Sequence, residues 1–327
     1  MQRFLIRKVA VLGAGVMGAQ IAAHLVNVRV PVVLFDLPDS KTDHKNGIVA
    51  RAVDQLRKTK PSPLGVAADA DLIAQANYEQ HLELLRECDL VIEAIAERMD
   101  WKRDLYQKIA PHVAPHAIVA SNTSGLSITA LAQALPDALR PRFCGIHFFN
   151  PPRYMTLVEL IATQDTQPEV LDQLETFATT ALGKGVVRAK DTPNFIANRI
   201  GVAGMLSTLH EAERFALTPD VVDDLTGKRL GRASSGTFRT ADVVGLDTLA
   251  HVIRTMQDQL DDKTDPFYPT FTTPPVLKAL LDKGHLGQKT KAGFFKKQGR
   301  DVLRFDLARN DYVPAGQKAD EVYGRML

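Results

Sequence analysis

The run Lys8-Val-Ala-Val-Leu-Gly-Ala-Gly-Val-Met-Gly18 leaves this chain few choices of fold. Val9, Val11 and Leu12 form a short apolar stretch, glycines at 13, 15 and 18 break it, and Ala19 to Leu25 continues with helical spacing. The pattern predicts strand, tight turn, helix. Gly13 permits the sharp turn, Gly15 lets a pyrophosphate lie on bare backbone, and Gly18 lets the helix pack close to the strand. The free N–H groups and positive end of that helix attract the anion. Gly13, Gly15, Val16, Met17 and Gly18 are therefore candidate pyrophosphate contacts.

The next apolar run, Val30-Pro-Val-Val-Leu-Phe-Asp36, ends in a carboxylate 18 residues past Gly18. An acid at that strand tip accepts hydrogen bonds from ribose hydroxyls and repels a 2′-phosphate, which favours NAD over NADP. The competing reading is a secretory signal peptide, because Arg3, Arg7 and Lys8 precede an Ala- and Gly-rich apolar stretch. A glycine-broken stretch makes a poor hydrophobic helix, and cleavage would remove the loop that explains Asp36. The expected location is the cytoplasm.

With 327 residues, 45% of them hydrophobic and 24% charged, the chain is long enough for two cored domains. A net charge of +2 gives no special attraction to nucleic acid or membrane, and no uncharged run approaches the ~18 apolar residues of a membrane span. Cys88 and Cys144 stand beside apolar runs, so buried reduced thiols are expected, with no disulfide and no metal site.

Strand-like and helix-like segments alternate to about residue 190. Pro38 to Lys60 is polar, and Ile48, Ala52 and Leu56 suggest a helix with a basic face of Lys41, Lys45, Arg51, Arg57, Lys58 and Lys60. Such a face either holds phosphates or is merely solvated. Ala68 to Arg86 is expected to be helical or irregular. Asp89 to Ile95 is a buried parallel strand, with Glu97 just past its end where open α/β sheets place ligands. Met99 to Ile109 is a helix carrying Trp101 and Lys102. Ala117 to Ala120 is a strand running into Ser121-Asn-Thr-Ser124, whose hydroxyls either cap the helix Ile128 to Leu135 or touch a ligand.

Arg142 to Phe149 and Thr156 to Ile161 are two more strands. If they pair as a hairpin centred on Arg153, His147 lands opposite Glu159, with Cβ atoms roughly 4.5–5.5 Å apart. A carboxylate that fixes one ring nitrogen leaves the other free for a substrate proton, as a general base requires. The plainer alternative is a satisfied core histidine beside an unrelated glutamate. Gly185 to Ala189 closes the sheet, and Asp191-Thr-Pro193 is a hinge. Helices then dominate: Asn194 to Leu217, one begun by Thr218-Pro219 and closed by Gly227, Thr248 to Leu260, and Val276 to Lys283. The expected architecture is an α/β, Rossmann-like doubly wound, mostly parallel sheet over 1–190, followed by a smaller all-helical domain over 191–298 and a tail or linker over 299–327.

These residues resemble the L-3-hydroxyacyl-CoA dehydrogenase family. The resemblance lies in Gly13-Ala-Gly-Val-Met-Gly18, Ser121-Asn-Thr-Ser124, Gly145-Ile-His-Phe-Phe-Asn-Pro151, Leu157-Val-Glu-Leu160, Asp191-Thr-Pro-Asn-Phe-Ile-Ala-Asn-Arg199 and Gly287-Gln-Lys-Thr-Lys-Ala-Gly-Phe294. It implies NAD-dependent oxidation of an L-3-hydroxyacyl-CoA to the 3-ketoacyl-CoA in fatty-acid β-oxidation. His147 is then the base, Glu159 its partner, and Ser124 and Asn198 hydrogen-bond the reacting substrate. Glu97, Lys102, Ser124, Asn150 and Lys289 then line the NAD site. The basic helix corresponds to the family's CoA-contacting arm, with Lys58 and Lys60 as candidates. Departures are Lys291 for a usual glycine, Phe295 for a usual tyrosine, and Gly236-Thr-Phe238 where Met-Gly-Pro is common. The resemblance further implies a homodimer, or the leading part of a longer multifunctional chain with an enoyl-CoA hydratase region. Val302 to Phe305 then adds a strand, and Ala319 to Leu327 is either the start of a helix cut short or an ordinary frayed end. Rival readings are a sister dehydrogenase acting on a free hydroxy acid and a non-catalytic NAD-binding protein.

Overall fold

In the computed structural model, residues 5–262 and 265–319 are described. The chain divides into two compact units, Met1–Phe195 and Ile196–Leu327. No helix among the described residues is long and apolar enough to cross a membrane.

The first unit alternates β1 (Val9–Leu12), α1 (Val16–Asn27), β2 (Val32–Asp36), α2 (Gly47–Leu56), β3 (Ile73–Asn77), β4 (Leu90–Glu93), α3 (Met99–Ile109), β5 (Ile118–Ser121), α4 (Ile128–Ala132), β6 (Phe143–Phe148), β7 (Leu157–Ile161), α5 (Pro168–Thr180) and β8 (Gly185–Ala189). The eight strands form one sheet in the order β3-β2-β1-β4-β5-β6-β7-β8, in which only β6 and β7 pair antiparallel. Because side chains alternate across a strand, Val9 and Val11 join the core on one face while Ala10 and Leu12 join the core on the other. With both faces covered, the inner strands need unbroken apolar runs, and this is why they were readable. The order reverses between β1 and β4, and ligands of such sheets bind at that switch point, beyond the strands' carboxyl ends.

β3 corrects the expectation that Ala68 to Arg86 is helical or irregular. It is an edge strand with Ala74 and Gln75 exposed, so its sequence lacks the apolar run of the inner strands. Cys88 and Cys144 are free and buried, and burial pushes their thiols up to about 11 and about 12.

His24 in α1 is 8% exposed, with Nε2 3.1 Å from the Leu182 carbonyl oxygen. Burial, helped by the positive charge of Lys184, lowers its pKa from 6.5 to about 4. Between those values the unfolded chain binds the proton and the folded chain does not, so stability falls as pH drops from 6.5 towards 4. The wild-type chain should lose up to about 3 kcal/mol more than His24→Gln between pH 7 and pH 4. Urea titrations at each pH measure this, and parallel curves for the two proteins would contradict it.

The second unit contains α6 (Ala197–Arg214), α7 (Pro219–Thr226), α8 (Phe238–Val244), α9 (Leu246–Gln259) and α10 (Pro275–Asp282), then β9 (Phe295–Gln298), β10 (Asp301–Asp306) and β11 (Asp311–Pro314). Its core joins Leu206, Leu209, Phe238, Ile253, Leu277 and Phe294. Phe305 of β10 is 2% exposed in the same core, and the three strands pair antiparallel. The expected tail over 299–327 is therefore, as far as residue 319, part of this unit. One inward residue per short strand was too faint a signal to show it. The expected terminal helix from Ala319 lies, after that residue, outside the described residues.

The boundary also falls later than residue 190. The Asp191 carboxylate caps α4, accepting from Ser127 Oγ at 2.8 Å and from the backbone N–H groups of Ile128 at 3.0 Å and Thr129 at 2.8 Å. Phe195 is buried in the first unit. Asn194 and Phe195 adopt φ of +57° and +53°, so the long helix starts at Ala197 rather than Asn194.

Candidate active site

At the switch point the three glycines have the separate duties their spacing implied. Gly13 has φ +105°, and a Cβ there would lie 2.7 Å from the Ala94 carbonyl oxygen. A Cβ on Gly15 would meet nothing within 4 Å, which leaves open backbone for a ligand, whereas one on Gly18 would sit 1.8 Å from the Gly13 oxygen. Gly15 is the N-cap of α1, with no side chain capping the helix. Asp36 Oδ2 accepts the Ala14 N–H at 2.6 Å and Oδ1 the Leu37 N–H at 2.7 Å. These bonds fix the carboxylate at the mouth of a cavity of about 420 Å³, lined among others by Leu37, Tyr78, Ile95, Trp101 and Lys108. An apolar slot for a base, a carboxylate for ribose hydroxyls and a glycine turn for pyrophosphate fit NAD. Asp36→Ala should raise the NADH dissociation constant about tenfold and narrow the margin over NADPH, because it removes a charged acceptor. Cofactor titration by fluorescence checks this, and an unchanged NADH/NADPH ratio would contradict it.

The other end of the site is built by the one antiparallel pair. The β6–β7 register places His147 opposite Glu159. Nδ1 lies 2.7 Å from Glu159 Oε2, and Nε2 lies 3.0 Å from Ser124 Oγ. His147 is 2% exposed and Glu159 0%, so the pair operates in low dielectric. With the carboxylate as acceptor, the network assigns the ring proton to Nδ1 and leaves the Nε2 lone pair towards Ser124. Phe149 and Phe195 pack on the imidazole, with ring centroids 4.4 and 5.6 Å away.

Ser124 is held by Glu97, whose carboxylate accepts the Ser124 N–H at 2.5 Å and Thr123 Oγ1 at 2.7 Å. The two readings of the Ser121–Ser124 hydroxyls thus separate: Ser127 and Asp191 cap α4, while Ser124 faces the histidine. Asn150 Oδ1 accepts from Gln20 Nε2 of α1 at 3.3 Å. Lys102 corrects its expected place on the cofactor surface. Its side chain is 1% exposed and its ammonium lies 2.5 Å from Glu93 and 3.8 Å from Glu97, because the charge is drawn inward by two carboxylates.

Of the basic face after Asp36, the two arginines are neutralised. Arg51 pairs with Asp39, and Arg57 with Asp54 and Asp71. Lys58 and Lys60 follow the end of α2 and are exposed. Asn198 lies in the first turn of α6, and Lys289 pairs with Asp247, both within the second unit. Sequence reasoning passed over Glu93, Tyr106 and Asn122. Glu93 was visible only as a charge inside an apolar run, and Asn122 Oδ1 accepts the Phe148 N–H at 2.9 Å, tying the turn after β5 to the histidine strand.

A doubly wound sheet with a dinucleotide turn after β1 and a carboxylate-steadied imidazole three strands further along, on β6, has the layout of a nicotinamide-dinucleotide-binding fold. Residues 8–192 match the family described as 3-hydroxyacyl-CoA dehydrogenase, NAD binding domain, and residues 195–297 match its C-terminal domain. A probable 3-hydroxyacyl-CoA dehydrogenase of Deinococcus radiodurans is 43% identical over 91% of this chain and 85% of its own. A protein of the same description from Bacillus subtilis is 41% identical over 92% of this chain, which spans only 40% of that relative's length. The crystal structure of (S)-3-hydroxybutyryl-CoA dehydrogenase from Ralstonia eutropha superposes with a TM-score of 0.71 at 31% identity, covering 88% of this chain and 98% of that one. The chain belongs to the 3-hydroxyacyl-CoA dehydrogenase family, and its first unit is that family's NAD-binding domain.

Proposed function

We propose that the chain oxidises L-3-hydroxyacyl-CoA to 3-ketoacyl-CoA, and that His147 is the general base of that reaction. The observation that carries this reading is the Glu159–His147–Ser124 chain of hydrogen bonds in the same sheet as the dinucleotide turn. NAD, when bound, supplies the hydride acceptor. His147 Nε2 takes the proton of the 3-hydroxyl as the C3–H bond gives up its electron pair as hydride, and the C3–O bond becomes a carbonyl. Glu159 balances the charge of the imidazolium that results. Ser124 donates to the substrate oxygen and holds it near Nε2.

The family resemblance adds Asn198 as a second donor to that oxygen, Glu97, Asn150 and Lys289 as cofactor contacts, and Lys58 and Lys60 as partners of the CoA phosphates. The Rickettsia prowazekii relative described as a putative fatty acid oxidation complex trifunctional enzyme, 38% identical and spanned over 40% of its length, supports the reading in which this dehydrogenase works within a longer multifunctional protein, where an enoyl-CoA hydratase is the chemical supplier of the substrate. Sedimentation of the protein from its native source separates that reading from a homodimer of this chain.

The experiment for the activity mixes the protein, NADH and acetoacetyl-CoA and follows the NADH absorbance, with free acetoacetate in a parallel cuvette. NADH consumption with the thioester alone is expected. Equal rates with the free acid would move the activity to free hydroxy acids, and binding of NADH without turnover on either would remove it.

A further inference from the structure

We propose that Glu93 is a positioning residue for the reaction, fixing the turn that presents Ser124 to His147; the inference rests on the reading of His147 as the base. Glu93 ends β4 and is 0% exposed. Its two carboxylate oxygens accept four donors from three segments of chain: α3, β5 and the residues just after β4. Oε1 takes the Lys102 ammonium at 2.5 Å and the Ile95 N–H at 2.8 Å, and Oε2 takes Tyr106 Oη at 2.9 Å and Ser121 Oγ at 2.7 Å. A carboxylate has about four acceptor sites, so this one is saturated.

The grip on the turn is double. The Glu93 backbone carbonyl accepts the Asn122 N–H at 2.7 Å while its side chain holds the Ser121 hydroxyl, and Ser121 Oγ also lies 3.3 Å from the Thr123 N–H. Lys102, held by Glu93, extends the same network to Glu97 at 3.8 Å, and Glu97 takes the Ser124 N–H. The bonds to Ser121, Asn122 and Glu97 therefore brace the turn that carries Ser124, whose hydroxyl meets His147 Nε2 at 3.0 Å.

A need for stability alone explains this poorly. Val91 and Ile92 fill the same strand with apolar side chains, and a buried ion pair is seldom more stabilising than well-packed hydrophobic residues. What a saturated ionic cluster provides is a fixed geometry.

The test is a double-mutant cycle between Glu93→Gln and Ser124→Ala, read as kcat for acetoacetyl-CoA reduction. If Glu93 acts through Ser124, Glu93→Gln should lower kcat about tenfold in the wild-type background and less than about twofold in Ser124→Ala, because contacting residues do not add. KM for acetoacetyl-CoA and NADH affinity should stay within about twofold. Equal losses in both backgrounds, or a loss confined to KM or to melting temperature, would overturn the proposal.

Should Glu93→Gln fail to fold, Tyr106→Phe removes one donor, keeps the ion pair and decides alone by the same cycle, with an expected drop of about threefold. Ring ¹⁵N resonances of His147 give a readout independent of turnover. Tyr106→Phe should shift them when Ser124 is present and leave them in place in Ser124→Ala, and resonances unmoved in both would reject the positioning role. A wild-type protein without turnover defeats the assigned reaction, whereas a turning-over protein with no coupling defeats only this inference.

Discussion

His147→Ala should lower kcat for acetoacetyl-CoA reduction by about 10²- to 10⁴-fold, the usual contribution of a positioned general acid or base. In barrier height this is about 3–5 kcal/mol. The loss should fall on turnover, since Nε2 faces Ser124 at the far end of the site from Asp36 and the glycine turn. NADH affinity should therefore remain within about twofold, which separates a chemical defect from a binding one. The imidazole is packed against Phe149 and Phe195, so the alanine leaves a cavity and the melting temperature will fall as well. Turnover at a temperature well below that melting point is the relevant comparison, and near-normal kcat there would remove His147 from the chemistry.

Glu159→Gln is the second large effect and tests how the histidine is prepared. The amide keeps the size of the carboxylate but carries no charge, and it faces Nδ1 at 2.7 Å in a fully buried position. If its oxygen accepts the Nδ1 proton, the imidazolium formed during oxidation loses its counter-charge where the dielectric is low. If its NH₂ donates to Nδ1, the ring proton moves to Nε2 and the base is lost. Both routes predict a fall in kcat of about 10²-fold or more with little change in NADH affinity. A loss below about threefold would make Glu159 a packing residue.

What the sequence disclosed follows from how local each cause is. The glycine turn was legible because each glycine answers a steric demand set by residues a few places away, seen in the 1.8 Å approach at Gly18. The His147–Glu159 register was legible because a hairpin has a period of two and a short loop, so a spacing of 12 residues can be folded on paper. β3 was hidden because an edge strand needs no continuous apolar run. The Glu93 cluster was hidden for the opposite reason: Lys102, Tyr106 and Ser121 lie 9, 13 and 28 residues away, on a helix and another strand that only the tertiary fold brings together. The arginines after Asp36 showed their charge in sequence, but Asp39 and Asp71 as their partners did not. Phe305 is a single inward residue of a short strand, too little pattern to mark 299–314 as part of a packed unit.

The most direct measurement is a crystal structure of the protein with NAD and acetoacetyl-CoA bound. The 3-oxygen of the ligand should lie about 2.6–3.2 Å from His147 Nε2, the reach of a general base, with Glu159 still on Nδ1. A substrate oxygen held away from the imidazole, or a ring turned from Glu159 once both ligands are in place, would contradict the account.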